Sequence, residues 1–346
     1  PIFRPQLLEI SDQQTLKEIT LEVLESIKKP FRTQEDVESY TQLTNKLYTL
    51  LVPEDKIKLP IKNKTLRIIP DNYLSLLPFE ALSVSQDSLT YLLFQNNTNY
   101  QYSNSFLNSI KVKQEKNPSY LAITPTTYPE LKLPTLSYST LEIENLKAAY
   151  KGIVLNKEEA TKKRFLERSS FPSIIHLATH ANADELASPW VAFYDAKLSL
   201  EELYLTNTNA SLVFLSGCNT TLGKNETGEG IISLARGFFY GGAQSVISSL
   251  WSIDDKATST LVNDFYRHLY DGKTKTEALR EAKLAYVASH SLSEQSPYYW
   301  ASFILIGKDN TIQPNNYFNT YVFCILLLFI GLAIFLFFFK KIKKHR

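Results

Sequence analysis

Residues 173–180, SIIHLATH, and residues 211–218, SLVFLSGC, decide how this chain is read. Each is a short apolar run that stops at small and polar residues, and each delivers one reactive side chain at its end: His180 in the first, Cys218 in the second. Apolar runs of this length between such breaks are the pattern of strands buried on both faces. Working outward, the pattern recurs at LRIIP (66–70), SYLAIT (119–124), KGIVL (151–155), QSVISSLW (244–251) and SFILIG (302–307). Amphipathic stretches at 137–149, 158–168, 230–240, 255–270 and 274–289 lie between these runs. Strand and helix in alternation predict an α/β domain built on a mostly parallel sheet flanked by helices. Ahead of it, residues 5–29 and 33–52 place Leu and Ile at helical spacing with Pro30 and Pro53 as stops. That predicts an N-terminal helical pair over 1–53, similar to the end of a helical repeat array.

The composition narrows the function classes. At 346 residues, 44% hydrophobic and 21% charged, the chain is too apolar for a disordered protein. Its net charge is +2, but the last seven residues, KKIKKHR, hold five Lys/Arg, which leaves 32 basic against 35 acidic side chains elsewhere. Nucleic-acid binding is not expected from that balance. There is no methionine, even at position 1, so the sequence reads as part of something longer.

Residues 321–339, YVFCILLLFIGLAIFLFFF, carry no charge. As a helix they span ~28 Å, close to the ~30 Å hydrocarbon core of a bilayer, and they predict a single transmembrane helix. Residues 309–320 form a polar linker to it and 340–346 a basic tail. The positive-inside rule keeps the tail cytoplasmic and puts the α/β domain on the opposite side, given a signal sequence upstream of Pro1; the alternative is a tail-anchored protein with a cytosolic domain.

Two cysteines, Cys218 and Cys324, cannot build a disulfide framework or a Cys-rich zinc site, and without a CxxC pair a thiol oxidoreductase is not expected. If the strands ending at His180 and Cys218 are neighbours, the two side chains face each other across a cleft at the carboxyl edge of the sheet, where such sheets bind ligands. A thiol with a pKa near ~8.5 is mostly protonated at neutral pH, and an adjacent imidazole generates the thiolate. The backbone N–H groups of Ala181 and Cys218 are then candidate oxyanion donors, with Gly217 allowing a sharp turn beside the nucleophile. His176 lies one layer deeper on the same face and reads as a hydrogen-bonded core histidine. His176 and His180 on a strand are too far apart to share a metal, so no metal and no organic cofactor is expected. His268 and His290 read as exposed or capping residues. The glycines of 222–237 lack the GxxxxGK[ST] pattern of a phosphate loop.

The runs HLATHANADELASPW (176–190), LSGCNTTLGKNETGEGIISLARGFFYGGAQSVISSLWSIDDKATSTLVNDFYRHLYDGKTKTEALREAKLAY (215–286) and SPYYWASFILIGK (296–308) resemble the CHAT family, caspase-like domains associated with tetratricopeptide repeats. The resemblance covers roughly 65–308. It implies membership of the caspase and separase clan of cysteine proteases, with His180 and Cys218 as the dyad and a protein as substrate. Ala181 stands where the clan often has glycine. Acidic residues line the pockets of relatives that cleave after Arg or Lys, which makes Asp254 or Asp255 a candidate pocket, with Glu226 and Glu229 as a second pair. For Asp255 the preferred reading is nevertheless a capping box with Ser252. Trp190, Trp251 and Trp300 read as packing residues, with Trp251 able to wall the cleft. Asn182 and Asp184 read as a turn rather than as partners of the imidazole. The expected whole is a membrane-tethered cysteine endopeptidase regulated by a protein signal or by upstream helical repeats; the alternative is a catalytically silent adaptor at the membrane.

Overall fold

The structure, a computed structural model, describes residues 6–10, 12–53, 61–112, 117–182, 188–217, 234–252 and 254–313, with the backbone of 225–226 and 230–231. The chain opens with α1 (Gln13–Ser26) and α2 (Gln34–Leu51). The sequence places the first helix from residue 5, but it starts at Gln13 because the Asp12 carboxylate accepts the Thr15 N–H at 2.9 Å. A Thr33/Asp36 capping box starts the second. Strands β1 (Thr65–Ile68) and β2 (Asn97–Tyr100), helix α3 (Asn104–Ser109), strand β3 (Ser119–Thr124), helix α4 (Glu144–Ala149), strand β4 (Lys151–Asn156) and helix α5 (Lys162–Arg168) follow. Next come β5 (Ile174–Leu177), β6 (Ala181–Asn182), β7 (Trp190–Ala192), β8 (Lys197–Ser199), α6 (Leu200–Tyr204), β9 (Leu212–Leu215) and the pair β10 (Asn225–Glu226) and β11 (Gly230–Ile231). The described chain ends with α7 (Leu234–Tyr240), β12 (Ser245–Ser249), α8 (Asp255–Tyr270), α9 (Lys275–Ser289), α10 (Pro297–Trp300) and β13 (Phe303–Gly307).

Eight strands form one sheet in the order β1-β2-β13-β12-β9-β5-β3-β4. From β12 to β4 all neighbours are parallel; β13 pairs antiparallel with β12 and turns the direction for β2 and β1. Every apolar run picked out in the sequence is a strand of this sheet. The strand that the pattern does not reveal is β2, NTNY, too polar to stand out, whose neighbour Gln101 reaches the Gly307 carbonyl from a buried position at 2.6 Å.

The strand order reverses at β3, whose neighbours are β4 on one side and β5 on the other. Right-handed crossovers therefore put α5, α6 and α7 on one face and α4 on the other. Helix α8 packs with α4 and α9 and covers the face that bears His176 and Phe214. Phe214 is the centre of that layer, with its ring 5.2–5.9 Å from those of Phe303, Phe265 and Tyr266. The helical pair belongs to the same compact unit as the sheet. Phe31, Tyr40, Tyr91 and Trp300 join it to the core in an unbroken series of edge-to-face aromatic contacts, and the Tyr40 hydroxyl donates to the Ala81 carbonyl at 2.9 Å. A buried ion pair pins the other side: Lys283 Nζ donates to Glu80 Oε1 at 2.7 Å, while the Tyr100 hydroxyl donates to Glu80 Oε2 at 2.6 Å.

Among the described residues no helix is long and apolar enough to cross a membrane. The run 321–339, the tail 340–346 and Cys324 lie outside those residues.

Candidate active site

The reversal of strand order fixes where a site can form, because the loops after β3 and β5 diverge there and leave a crevice at the carboxyl edge. A narrow cleft opens at that edge. Four strand ends contribute to it: Leu136 after β3, His180 after β5, Gly217 after β9 and Trp251 after β12, with Asp255 from the first turn of α8.

His180 follows β5 by three residues, and Cys218 stands at the same offset after β9; the two strands are parallel neighbours with Leu177 opposite Leu215. Cys218 itself lies outside the described residues, as do Asp184 and Glu229, and Glu226 is described only as backbone of β10. Gly217, one residue before the cysteine, is described, and it is pressed against the His180 turn. A Cβ added to it would come closer than 3.0 Å to the Thr179 carbonyl oxygen, 3.1 Å from the Ala181 Cβ and 3.2 Å from the Ala181 nitrogen. Its carbonyl accepts a hydrogen bond from the Ser249 hydroxyl, which ties the end of β9 to the end of β12.

The imidazole is held by groups that the sequence did not reveal. Nε2 of His180 lies 2.8 Å from the Pro134 carbonyl oxygen. A carbonyl only accepts, so Nε2 carries the proton and Nδ1 is the basic nitrogen of the neutral ring. The Tyr128 ring stands 5.0 Å from the imidazole. Its hydroxyl belongs to a directed chain: Thr179 donates to the Ala192 carbonyl at 2.7 Å, so Tyr128 donates to Thr179 at 2.8 Å and accepts the His180 N–H at 3.3 Å. Tyr128 and Pro134 both come from the loop after β3, and a Pro-flanked TYPELKLP stretch between a strand and a helix was the available signal.

Ala181 sits in β6 opposite Val191. The Ala192 N–H bonds to the His180 carbonyl at 2.8 Å, which makes Ala181 and Val191 a non-hydrogen-bonded pair. The Ala181 N–H therefore points away from β7, toward the side where Gly217 lies.

The acidic candidates separate. Asp254, not Ser252, caps α8: its Oδ1 accepts the N–H groups of Lys256 and Ala257, both at 3.0 Å. The sequence reading of a Ser252/Asp255 capping box is corrected accordingly: the helix begins at Asp255, two residues later than a Ser252 cap would start it, and Asp254 takes the N–H groups of its first turn. Asp255 is left to line the cleft. Burial pushes its carboxyl above the ordinary range, the Asp254 charge pushes the same way, and the nearby His180 pulls it back. Glu142 is a second carboxylate in the cleft wall, not anticipated from sequence, and it meets Nε2 of the buried His176 at 3.2 Å.

Other sequence candidates find plain roles. Trp251 lines the cleft with its indole N–H on the Tyr298 carbonyl at 3.1 Å, Trp300 is fully buried, and Trp190 lies under the Lys197 ammonium at 3.9 Å. Asn182 is in strand β6 rather than in a turn. His290 is the C-cap of α9 and stacks on Tyr286. Among the described residues no three His, Cys, Asp or Glu side chains gather as a metal site.

The fold has counterparts among known proteins. Tetratricopeptide repeat protein 28 of Homo sapiens is 29% identical over 150 residues, 43% of this chain, and its Mus musculus counterpart is 29% identical over 149. The chain spans about 6% of the length of these relatives. Among solved structures, a Saccharomyces cerevisiae separase–securin complex aligns over 89% of this chain and 23% of its own with a TM-score of 0.50 and 13% identity. The complex of Porphyromonas gingivalis RgpB pro- and mature domains aligns over 87% and 78% with a TM-score of 0.51 and 9% identity. At those identities the likeness is one of fold, a caspase-like sheet flanked by helices. The CHAT domain model matches residues 41–308, from within α2 to the end of β13, and the chain belongs to the CHAT domain family.

Proposed function

We propose that this chain is a cysteine endopeptidase tethered to a membrane by residues 321–339. In this reading Nδ1 of His180 takes the Cys218 proton, and the thiolate attacks the carbonyl carbon of a peptide bond. The oxyanion forms against the N–H groups of Ala181 and Cys218. The C–N bond then breaks as the imidazolium gives its proton to the leaving amine, and water, deprotonated by His180, hydrolyses the thioester to release the acid and restore the thiol. The observation that carries this reading is the contact of Gly217 with the 179–181 backbone, together with the Pro134 carbonyl that leaves Nδ1 as the basic nitrogen.

Substrate preference follows from charge. The cleft wall holds Asp255 and Glu142 and, among the described residues, no Lys or Arg, which suits a basic side chain next to the scissile bond. The kinship with a tetratricopeptide repeat protein supports regulation by helical repeats upstream of α1 or by a protein that binds them.

The test is labelling of the full chain with a peptidyl acyloxymethyl ketone ending in arginine. The expected result is one adduct, lost in Cys218→Ala and slowed in His180→Ala. No Cys218-dependent adduct, with or without the upstream repeats, would leave the adaptor reading in its place.

A further inference from the structure

The end of the sheet opposite the cleft carries apolar side chains that the core does not use. Three helices on one face all finish there. Phe171, just after α5, is 80% exposed; Leu205, just after α6, is 89% exposed; Tyr240, the last residue of α7, is 76% exposed. They are neighbours. The Ser170 hydroxyl donates to the Asn207 carbonyl at 2.8 Å, the Thr208 N–H to the Gly241 carbonyl at 2.9 Å, and the Tyr204 and Tyr240 rings meet edge to face at 5.2 Å. Beside them lies an open groove of about 290 Å³ lined by Phe106, Ile110 and Phe239, with Lys111 at its rim and the exposed Val112 next to it. One exposed apolar residue is ordinary, but several together beside a groove mark an interaction surface.

What meets this surface follows from where the described chain leaves the domain. The Lys308 N–H donates to the Gln244 carbonyl at 2.9 Å, and the Tyr150 hydroxyl to the Ile312 carbonyl at 2.6 Å, so residues 308–312 run along this same end of the sheet. Seven residues, 314–320, then precede the uncharged run 321–339. Fully extended they reach at most about 25 Å. A domain of this size is on the order of 50 Å across. With 321–339 in a bilayer, Gln313 is held nearer to the lipid surface than one domain width. Lys111 on the groove, Lys151 at the start of β4 and Lys308 after β13 give this end three cations against two carboxylates, Asp271 at the end of α8 and Asp309. The excess of one positive charge suits anionic headgroups.

We infer that this end of the domain is a lipid-facing surface: Phe171, Leu205 and Tyr240 enter the headgroup layer of the bilayer, Lys111 and Lys151 lie against its phosphates, and the His180 cleft opens on the far side. Tyrosine is suited to that layer, with an apolar ring and a hydroxyl that stays wet. The inference rests on the reading of 321–339 as a membrane segment.

The full chain, in a Cys218→Ser, Cys324→Ser background, is labelled with an environment-sensitive fluorophore at Leu205→Cys or, as the cleft-end control, at Glu158→Cys. It is reconstituted into vesicles of phosphatidylcholine and phosphatidylglycerol with or without a headgroup-proximal doxyl lipid, and flotation is measured on the same samples. The expected result is flotation with most of the Leu205→Cys emission quenched and the Glu158→Cys emission unchanged. Adding Phe171→Glu and Tyr240→Glu should remove the quenching while flotation persists. Flotation with neither label quenched, or with both quenched alike, overturns the lipid-facing surface and leaves the anchor standing. Failure to float overturns both.

Discussion

Replacing Gly217 by alanine tests whether the ends of β5 and β9 set the distance between imidazole and thiol. The added methyl would lie closer than 3.0 Å to the Thr179 carbonyl oxygen and 3.1 Å from the Ala181 Cβ, against ~3.5–4.0 Å for a comfortable carbon contact. Thr179 cannot yield by rotating a side chain, because the atom in the way is backbone and its hydroxyl is held on the Ala192 carbonyl. Gly217 cannot retreat freely either, since Ser249 grips its carbonyl. The two strand ends must therefore part by roughly 0.5–1 Å, a distortion that costs about 1–3 kcal/mol when a packed site is overfilled. The same displacement moves the following residue, Cys218, away from the His180 turn, and a misplacement of ~1 Å at reacting groups costs on the order of 10²-fold in rate. The assay is the second-order rate of Cys218 alkylation by the acyloxymethyl ketone, which forms a thioether at the methylene carbon and releases the carboxylate, with a urea unfolding curve on the same protein. The reasoning expects a fall near 10²-fold at a temperature where the variant is fully folded. Alkylation at the wild-type rate by folded Gly217→Ala would refute it, because the nucleophile would then be positioned by something other than this contact.

Two further outcomes follow from charge. Asp255→Asn should lower kcat/KM for substrates with a basic side chain at the scissile bond by about 10–100-fold, the worth of a charge-assisted hydrogen bond. Because the folded-state pKa of Asp255 is raised, its ionisation opposes folding above that pKa and not at low pH. The Asn variant should therefore lose the acid limb of the rate profile without losing stability at neutral pH, as read by pH–rate profiles and thermal unfolding. Lys275 is fully buried, with Nζ on Asn310 Oδ1 at 2.7 Å, and burial holds its ammonium down to about 7 while Asp309 opposes the shift. The unfolded chain binds this proton up to about pH 10.4 and the folded chain only up to about 7, so stability rises with pH across that window. The full rise is at most about 5 kcal/mol. Lys275→Met should flatten it, measured as the difference between variant and wild type in denaturant unfolding at pH 7 and pH 10.

The sheet was legible because its central strands are buried on both faces and therefore read as unbroken apolar runs. β2 was not, since Asn97, Thr98 and Asn99 give no such run and the strand exists by pairing with β1 and β13. The position of His180 at a strand end was legible for the same reason as the strand. What orients it was not: Pro134 acts through its carbonyl, which every residue possesses, and Tyr128 through a loop whose path depends on the rest of the fold. The cap of α8 was misread because an S-x-x-D pattern fitted Ser252 and Asp255, and sequence alone does not say whether Ser252 or Asp254 caps the helix.

The two histidines of HLATH divide the work between the floor and the rim of the cleft. His176 is fully buried between Glu142, from the loop that carries Pro134, and Tyr266, from the helix that carries Asp255. Burial and then the Glu142 charge keep the Tyr266 hydroxyl protonated, so it donates to Nδ1 of His176 at 2.9 Å. That leaves Nε2–H to donate to the Glu142 carboxylate at 3.2 Å. Every polar atom in this chain of bonds has one direction, and its three members come from β5, the loop after β3 and α8. Those same elements bring His180, the Pro134 carbonyl and Asp255 to the rim. A buried network of this kind favours one arrangement over its neighbours, because a shift of any member leaves a partner unsatisfied in a dry site. The Pro134 carbonyl thus sets the Nε2–H form of His180, while the buried histidine, one layer deeper in the sheet, braces the three elements that carry the rim.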